Sequence, residues 1–144
     1  MSKKVAYFIG IGGAGMSSIA RYLNKTGWHV SGYDKTETPL TDQLKQEGIN
    51  INFDRCDSSI PEEIKKVDLL LVTTPAISSD HPHLIALKKL GHKAIKRAEL
   101  LGKITKSKAT LGISGTHGKT STTALLAHII DGTPQRCNAF IGGV

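Results

Sequence analysis

Residues 5–20, VAYFIGIGGAGMSSIA, decide the fold of this chain. Val5 to Ile9 form a short, continuous apolar run, which is typical of a buried strand, and Gly10 ends it. The residues that follow carry apolar side chains at helical spacing, namely Met16, Ile19, Ala20 and Leu23. The stretch therefore predicts a buried strand, a tight turn and an amphipathic helix in immediate succession.

The turn between this strand and helix has the spacing G-x-G-x-x-G, with glycine at positions 10, 12 and 15. Glycine permits positive φ in the turn and lets a phosphate approach the backbone, and the exposed amides of a helix N-terminus bind anions. Asp34 ends the next predicted strand, WHVSGY (28–33), where it could accept hydrogen bonds from a ribose. A turn or helix-capping role for Asp34 is the alternative. The pattern predicts a phosphate or nucleotide ligand and leaves the base open.

Strand and helix signals continue to alternate as far as residue 104. Further strands are predicted at 49–51 and 67–74 and at the start of KAIKRAELLGKI (93–104), and helices at 39–47, after Pro61, at 80–90 and at the end of 93–104. This order favours an α/β fold, a Rossmann-like parallel sheet with helices on both faces. Such sheets bind ligands beyond the carboxyl ends of their strands. The segments to examine are 10–15, 34–35, 73–77 and Arg97.

A second glycine-rich turn lies in GISGTHGKTSTTALLAHII (112–130), after a predicted strand TLGIS (110–114). It is similar to a P-loop, whose lysine neutralises the terminal phosphates of a nucleotide and whose next hydroxyl binds Mg²⁺. Lys119 and Thr120 would take these roles. The usual spacing needs glycine where Ile113 stands, so the working pattern is the shorter G-x-x-G-K-T. His117 either donates to a phosphate or merely fills the loop.

A basic connector near residues 104–109 marks the predicted domain boundary. It divides the chain into residues 1–106, a complete Rossmann-like domain with the first glycine-rich turn, and residues 107–144, the opening of a second domain with the P-loop-like turn. The second part is too short to bury a core of its own. We expect one complete domain followed by the start of another.

Composition narrows the partners and the location. The net charge is +7, and eight Lys or Arg residues lie between Lys88 and Lys108 against the single acid Glu99. That stretch has no aromatic side chain on which a base could stack, so we expect a solvated surface and no nucleic-acid partner. No apolar run is long enough to span a bilayer, and the N-terminus lacks a secretory cleavage site, so a cytoplasmic protein without a membrane partner is expected.

Two further groups of residues are predicted to have no catalytic role. Cys56 and Cys137 do not form a CxxC pair, and free buried thiols are expected. His81 and His83 flank Pro82 without other metal-ligating residues nearby, which favours a surface loop and the start of a helix.

Six segments together resemble the Mur ligases of bacterial cell-wall synthesis. They are FIGIGGAGMSSIA (8–20), VSGYD (30–34), TTPAI (73–77), KRAELL (96–101), GISGTHGKTSTTALLAHI (112–129) and FIGG (140–143). They span the chain in order, and the forms of the two loops favour the ligases that add L-alanine over those that add later amino acids. The resemblance implies a three-domain, ATP- and Mg-dependent enzyme in peptidoglycan synthesis. In such an enzyme ATP phosphorylates the carboxylate of UDP-N-acetylmuramate and leaves as ADP. The amine of L-alanine then attacks the resulting acyl phosphate, and the tetrahedral intermediate loses phosphate to leave an amide.

The resemblance also assigns residues by position. Those expected to hold the UDP part are Gly12, Gly13, Ala14, Gly15, Met16, Asp34, Lys35, Thr74, Pro75, Ala76 and Arg97. Those expected to hold ATP are Gly115, Thr116, His117, Gly118, Lys119, Thr120 and Ser121. Lys119 and Thr120 would be catalytic, with Thr120 on Mg²⁺.

The family's magnesium-binding glutamate, its central-domain histidine and its amino-acid-binding domain would lie beyond Val144. We therefore expect a fragment that binds UDP-N-acetylmuramate and does not ligate on its own. Two alternatives remain open at this point. One is a nicotinamide-dependent oxidoreductase domain, which would leave Lys119 without a role, and the other is a non-catalytic UDP-sugar-binding module. Nothing in the sequence indicates the oligomeric state.

Overall fold

The computed structural model describes residues 4–65 and 67–141, and its centre is a five-stranded parallel sheet of order β3-β2-β1-β4-β5. The strands are β1 (Val5–Ile9), β2 (His29–Tyr33), β3 (Asn50–Asn52), β4 (Leu69–Thr73) and β5 (Ala94–Lys96). The helices are α1 (Ala14–Lys25), α2 (Pro39–Gln46), α3 (Glu62–Lys65), α4 (Pro82–Lys89), α5 (Arg97–Lys106) and α6 (Lys119–Asp131). The predicted Rossmann-like α/β architecture is confirmed.

Helices cover both faces of the sheet, as the alternating side chains of β1 show. Ala6 and Phe8 belong to a core cluster that also holds apolar residues of α1, α2 and α5. Val5, Tyr7 and Ile9 belong to a second cluster, with residues of α3 and α4. Successive side chains of a strand point to opposite faces, so one strand contributes to both cores. All five residues of β1 are buried, as expected for the central strand.

The amino-terminal ends of the strands form the edge of the sheet opposite to the predicted site. Trp28, immediately before β2, is partly buried there and packs against the first core cluster. The ammonium of Lys4 lies 5.7 Å from the centroid of its ring. Trp28 and Lys4 thus lie at the end of β2 that is remote from the predicted ligand site.

The predicted strand TLGIS (110–114) is not present: residues 109–118 form neither strand nor helix. A strand needs a neighbour to satisfy its backbone N–H and C=O groups. No strand of the described residues lies beside this segment, and Leu111 is 70% exposed. The prediction of a strand here is wrong, because an apolar pattern forms a strand only where a neighbouring strand pairs with it.

Both cysteines are free, as predicted, but the expectation that they are buried is wrong, because both are exposed. Cys56 lies in the irregular segment between β3 and α3, and Cys137 follows α6. Neither segment is covered by a helix layer. Helix α5 ends at Lys106, at the predicted domain boundary, and the division into two domains stays a prediction.

Candidate functional site

Three loops meet at the carboxyl edge of the sheet, because β1 lies between β2 and β4 and β5 is next to β4. Gly10 has φ +87°, and a Cβ placed on it would lie 3.5 Å from the Cγ2 of Thr74 and 3.4 Å from the Cδ1 of Ile77. The guanidinium of Arg97 lies directly against Gly15. The structure therefore brings together the glycine loop, the turn after β4 and the first residue of α5.

The glycine loop is fastened to β2 at one end and opens as a helix N-terminus at the other. The amides of Gly10 and Ile11 donate to the carbonyl of Tyr33, at 2.8 and 3.0 Å. The amides of Ala14 and Gly15, in the first turn of α1, donate to no acceptor within residues 4–65 and 67–141. Unpaired amides at the start of a helix attract anions. Arg97 lies alongside them, so the turn places a cation next to amides that have no acceptor in the described residues.

Asp34, at the end of β2, holds the middle of the glycine loop. Its Oδ2 accepts a 2.6 Å hydrogen bond from the amide of Gly12, and its Oδ1 accepts a 3.2 Å bond from the amide of Thr36. A Cβ on Gly12 would lie 2.8 Å from Oδ2 and 2.9 Å from the Cγ2 of Thr41 in α2. The glycine at position 12 is thus required by neighbouring protein atoms. The contact to Thr36 is the turn-type role that the sequence left open.

The other predicted wall residues of the UDP site lie around this loop. Thr74 organises the turn after β4, since its Oγ1 accepts from the amide of Ala76 at 2.9 Å and its carbonyl accepts from Ile77 at 3.1 Å. Pro75, Ala76 and Lys35 have exposed side chains. Because these side chains are exposed, a nucleoside at this edge could contact them without any movement of the protein.

Arg97 differs from the other basic residues between 88 and 108. The seven lysines of that stretch are exposed, and Lys103 forms an ion pair with Glu99 at 2.9 Å, also at an exposed position. Arg97 is only partly exposed and is turned toward Gly15. The expected solvated basic surface is confirmed for the lysines, whereas Arg97 lies against the glycine loop, and its role in binding UDP stays a prediction.

The second glycine-rich turn forms a compact loop at the start of α6. Gly118 has φ +75°, and helix α6 begins at the next residue. The ammonium of Lys119 donates to the carbonyls of Gly115 at 2.6 Å and Thr116 at 3.2 Å. His117, Thr120 and Ser121 are exposed. The lysine therefore lies over its own loop, which is the place where the phosphates of a P-loop nucleotide are held.

Neither a carboxylate-rich metal site nor a membrane helix accompanies these loops. In the part of the chain that the structure describes, no group of three or more His, Cys, Asp or Glu residues is arranged to hold a metal ion. In the same residues, no helix has the length and apolar character needed to cross a bilayer. The Mg²⁺ assignment of Thr120 remains a prediction.

His81 and His83 are buried, which corrects the prediction of a surface loop. His83 is fully buried, with Nε2 2.8 Å from the carbonyl of Cys56 and Nδ1 3.1 Å from the hydroxyl of Tyr7. The His81 ring lies 4.7 Å from that of Tyr33, and neither of its nitrogens has a hydrogen-bond partner in the described residues. Burial lowers the pKa of both histidines. The available signal was that His83, Leu84 and Leu87 share one face of α4.

The comparisons with known proteins agree with this geometry. The model of the Mur ligase family, catalytic domain, matches residues 5–109. The chain belongs to the Mur ligase family. The match includes the glycine loop, the turn after β4 and Arg97, so the family covers the whole of the first candidate site.

Individual Mur ligases match nearly the whole chain. The UDP-N-acetylmuramate–L-alanine ligase of Porphyromonas gingivalis is 48% identical over 142 residues, which are 98% of this chain and 31% of that protein. The corresponding ligase of Christiangramia forsetii is 46% identical over 96% of this chain and 31% of its own length. The chain therefore spans about a third of the length of these relatives.

Solved Mur ligase structures have the same fold. The UDP-N-acetylmuramate–alanine ligase of Thermotoga maritima superposes with a TM-score of 0.79 at 27% identity, over 96% of this chain and 35% of that one. The UDP-N-acetylmuramate:L-alanyl-gamma-D-glutamyl-meso-diaminopimelate ligase of Neisseria meningitidis gives 0.79 at 29% identity, over 90% and 40%. The resemblance stated from the sequence is confirmed at the level of the family and its fold.

Proposed function

We propose that this chain serves the ATP-dependent ligation of L-alanine to UDP-N-acetylmuramate in peptidoglycan synthesis. Residues 1–106 would bind the UDP part of the substrate, and residues 107–144 would begin the ATP-binding domain. Among the reactions of the Mur ligase family, this one is supported by the relatives that match the chain, which are UDP-N-acetylmuramate–L-alanine ligases. A cytoplasmic location, without nucleic-acid or membrane partners, is proposed with it.

The convergence of anion-binding groups at one edge of the sheet carries the proposal. The amides of Ala14 and Gly15, which have no acceptor among the described residues, lie in the same turn as the guanidinium of Arg97. A diphosphate is matched by this arrangement, since it presents two phosphates to amides and a cation together. The exposed residues after β2 and β4 would then contact the uridine.

The loop of residues 115–121 fits the phosphates of ATP. Its lysine ammonium already lies among the loop carbonyls, and the first turn of α6 presents Thr120 and Ser121. When bound, ATP would supply the phosphoryl group that activates the substrate carboxylate. Lys119 would neutralise the terminal phosphates, and the Thr120 hydroxyl would be the protein ligand of a Mg²⁺ ion otherwise held by phosphate and water.

Calorimetric titration of the purified chain tests the UDP site. UDP-N-acetylmuramate should bind, and NADH should not. Gly12→Ala should weaken binding about tenfold or more, about 1.4 kcal/mol, because the new Cβ displaces Asp34 from the loop. Gly102→Ala is the matched control, since a Cβ there meets nothing within 4 Å, and its affinity should equal that of the unchanged chain.

Tight binding of NADH without a response to UDP-N-acetylmuramate would contradict the proposal and favour the oxidoreductase alternative. Equal losses of affinity in Gly12→Ala and Gly102→Ala would show that the glycine loop does not form the binding site.

A further inference from the structure

The carboxylate of Asp34 is bonded to the phosphate loop itself. The 2.6 Å bond from the Gly12 amide to Oδ2 joins the end of β2 to the turn after β1. The second carboxylate oxygen accepts from Thr36, which fixes the orientation of the carboxylate. An amide bonded to a carboxylate is a strong, charge-assisted contact. Asp34 thereby limits how the loop can move.

Helix α2 closes the same contact from the other side. The Cγ2 of Thr41 and the carboxylate of Asp34 occupy the space beside Gly12. Thr41 is fully buried and belongs to the capping box of α2, in which its Oγ1 accepts from the amide of Thr38 at 2.8 Å. Three parts of the chain are therefore interlocked at Gly12: the glycine loop, the end of β2 and the start of α2.

The hydrogen bond between Gly12 and Asp34 determines which amides of the loop can donate to a phosphate. Its N–H points to Asp34, whereas those of Ala14 and Gly15 remain without an acceptor in the described residues. We infer that Asp34 is a positioning residue, whose carboxylate holds the glycine loop so that the amides of Ala14 and Gly15 face the diphosphate. This role differs from that of a ribose acceptor, and it rests on the proposed UDP site.

The two roles and simple electrostatics predict different responses to Asp34→Asn. Removal of a negative charge near a diphosphate would by itself strengthen binding. Loss of a ribose acceptor would weaken only ligands that carry the ribose hydroxyls. Asparagine offers one side-chain oxygen for the two amides of Gly12 and Thr36, and its NH2 group would face the other amide. The weaker hold on the loop would weaken every ligand with a diphosphate, whether or not the 2′- or 3′-hydroxyl is present, and would leave uridine unaffected.

The test is a calorimetric series with uridine, UDP, 2′-deoxy-UDP and 3′-deoxy-UDP on the full chain. Asp34→Asn should weaken all three diphosphates by the same factor, about tenfold, and should leave uridine unchanged. Asp34→Glu, which keeps the charge but displaces the carboxylate, should also weaken the diphosphates. Asp42→Asn is the matched control, an exposed acid of α2 whose nearest cation is Lys45 at 3.7 Å, and should bind like the unchanged chain.

Amide hydrogen exchange, read by NMR in the same samples, measures the contact without ligand. The Gly12 amide should exchange faster in Asp34→Asn, while amides of β1 keep their protection and show that the variant is folded. A loss that spares 2′-deoxy-UDP or 3′-deoxy-UDP, unchanged or tighter UDP binding, or unchanged Gly12 exchange would overturn the inference. If the unchanged chain binds no UDP, the proposed function fails, and Gly12 exchange alone decides whether Asp34 holds the loop.

Discussion

At the level of single residues, His83 shows how the core holds a titratable side chain in one protonation state. A backbone carbonyl only accepts hydrogen bonds, so the contact with Cys56 requires a proton on Nε2. Because burial lowers the pKa of His83 and favours the neutral ring, Nδ1 accepts from the hydroxyl of Tyr7. The imidazole is thus neutral and satisfied on both sides, and it joins the loop after β3 to the central strand.

Because His81 and His83 are buried, we expect the folded chain to lose stability in mild acid. Their pKa values are lowered from 6.5 in the folded chain, mainly by burial, so the unfolded chain binds protons at a higher pH than the folded one. The free energy of unfolding should therefore fall as the pH drops below 6.5, by at most about 1.4 kcal/mol per pH unit for each histidine. Urea unfolding between pH 8 and pH 5 measures the slope.

The double variant His81→Asn, His83→Gln should flatten that slope. His29→Asn, at an exposed position of β2, should keep it. The lowered pKa values of Asp54 and Asp80 act only below 3.8, outside this window. A slope that survives in the double variant would assign it to other groups.

The sequence could not predict side-chain contacts between residues that are distant along the chain. The position of Asp34 at the end of β2 follows from the strand pattern, but its partner Gly12 is known only once β1 and β2 are paired in register. The burial of His81 and His83 likewise depends on Tyr7 and Tyr33, which are distant in sequence. Local composition carries no record of such contacts.

At the level of elements, the start of α2 is the best-defined local structure near the site. The side chain of Thr38 accepts from the amide of Thr41, and the side chain of Thr41 accepts from the amide of Thr38. Pro39 occupies the first helical position. This capping box fixes where the helix begins. It also fixes Thr41, which packs against Gly12.

Thr38→Ala should lower the free energy of unfolding by about 1 kcal/mol, because it removes the side-chain acceptor of the cap. It should also weaken UDP binding slightly through Thr41. Chemical denaturation and calorimetry measure the two effects. Thr36→Ala, with an exposed side chain two residues earlier, is the control, and equal losses in both variants would contradict the capping role.

Elements with local signals were predicted well, and the failure at residues 110–114 is physical. Apolar periodicity and glycine or proline boundaries locate α1, α2 and β4 to within a few residues. A strand, in contrast, exists only beside another strand. Helix α6 forms after its glycine turn without such a neighbour, because its hydrogen bonds are internal.

At the level of the whole molecule, burial is concentrated in the first part of the chain. The buried apolar residues run from Val5 to Leu100, and α6 has none, with Leu125 61% and Ile129 57% exposed. A cavity of about 470 Å³ separates α5 from the segment that includes α6. An edge-on contact of Tyr22, in α1, with Phe140, which follows α6, joins the first part of the chain to this segment, and the two ring centroids lie 5.6 Å apart.

A chain that ends at Lys108 should therefore fold cooperatively and bind UDP as the full chain does. The lost ring contact is worth about 1 kcal/mol, so the midpoint of thermal unfolding should drop by no more than roughly 8 °C. Phe140→Ala in the full chain should give a similar shift. A shortened chain that fails to unfold cooperatively would show that residues 109–144 complete the first domain.

The position of Trp28 has a practical consequence for all of these measurements. It is the one tryptophan of the sequence, and it lies at the amino-terminal end of β2, about 17 Å along the strand from the edge where the glycine loop begins. Its emission should report the integrity of the sheet while remaining insensitive to an occupant of the opposite edge. A single intrinsic chromophore can thus follow melting in the presence of saturating nucleotide.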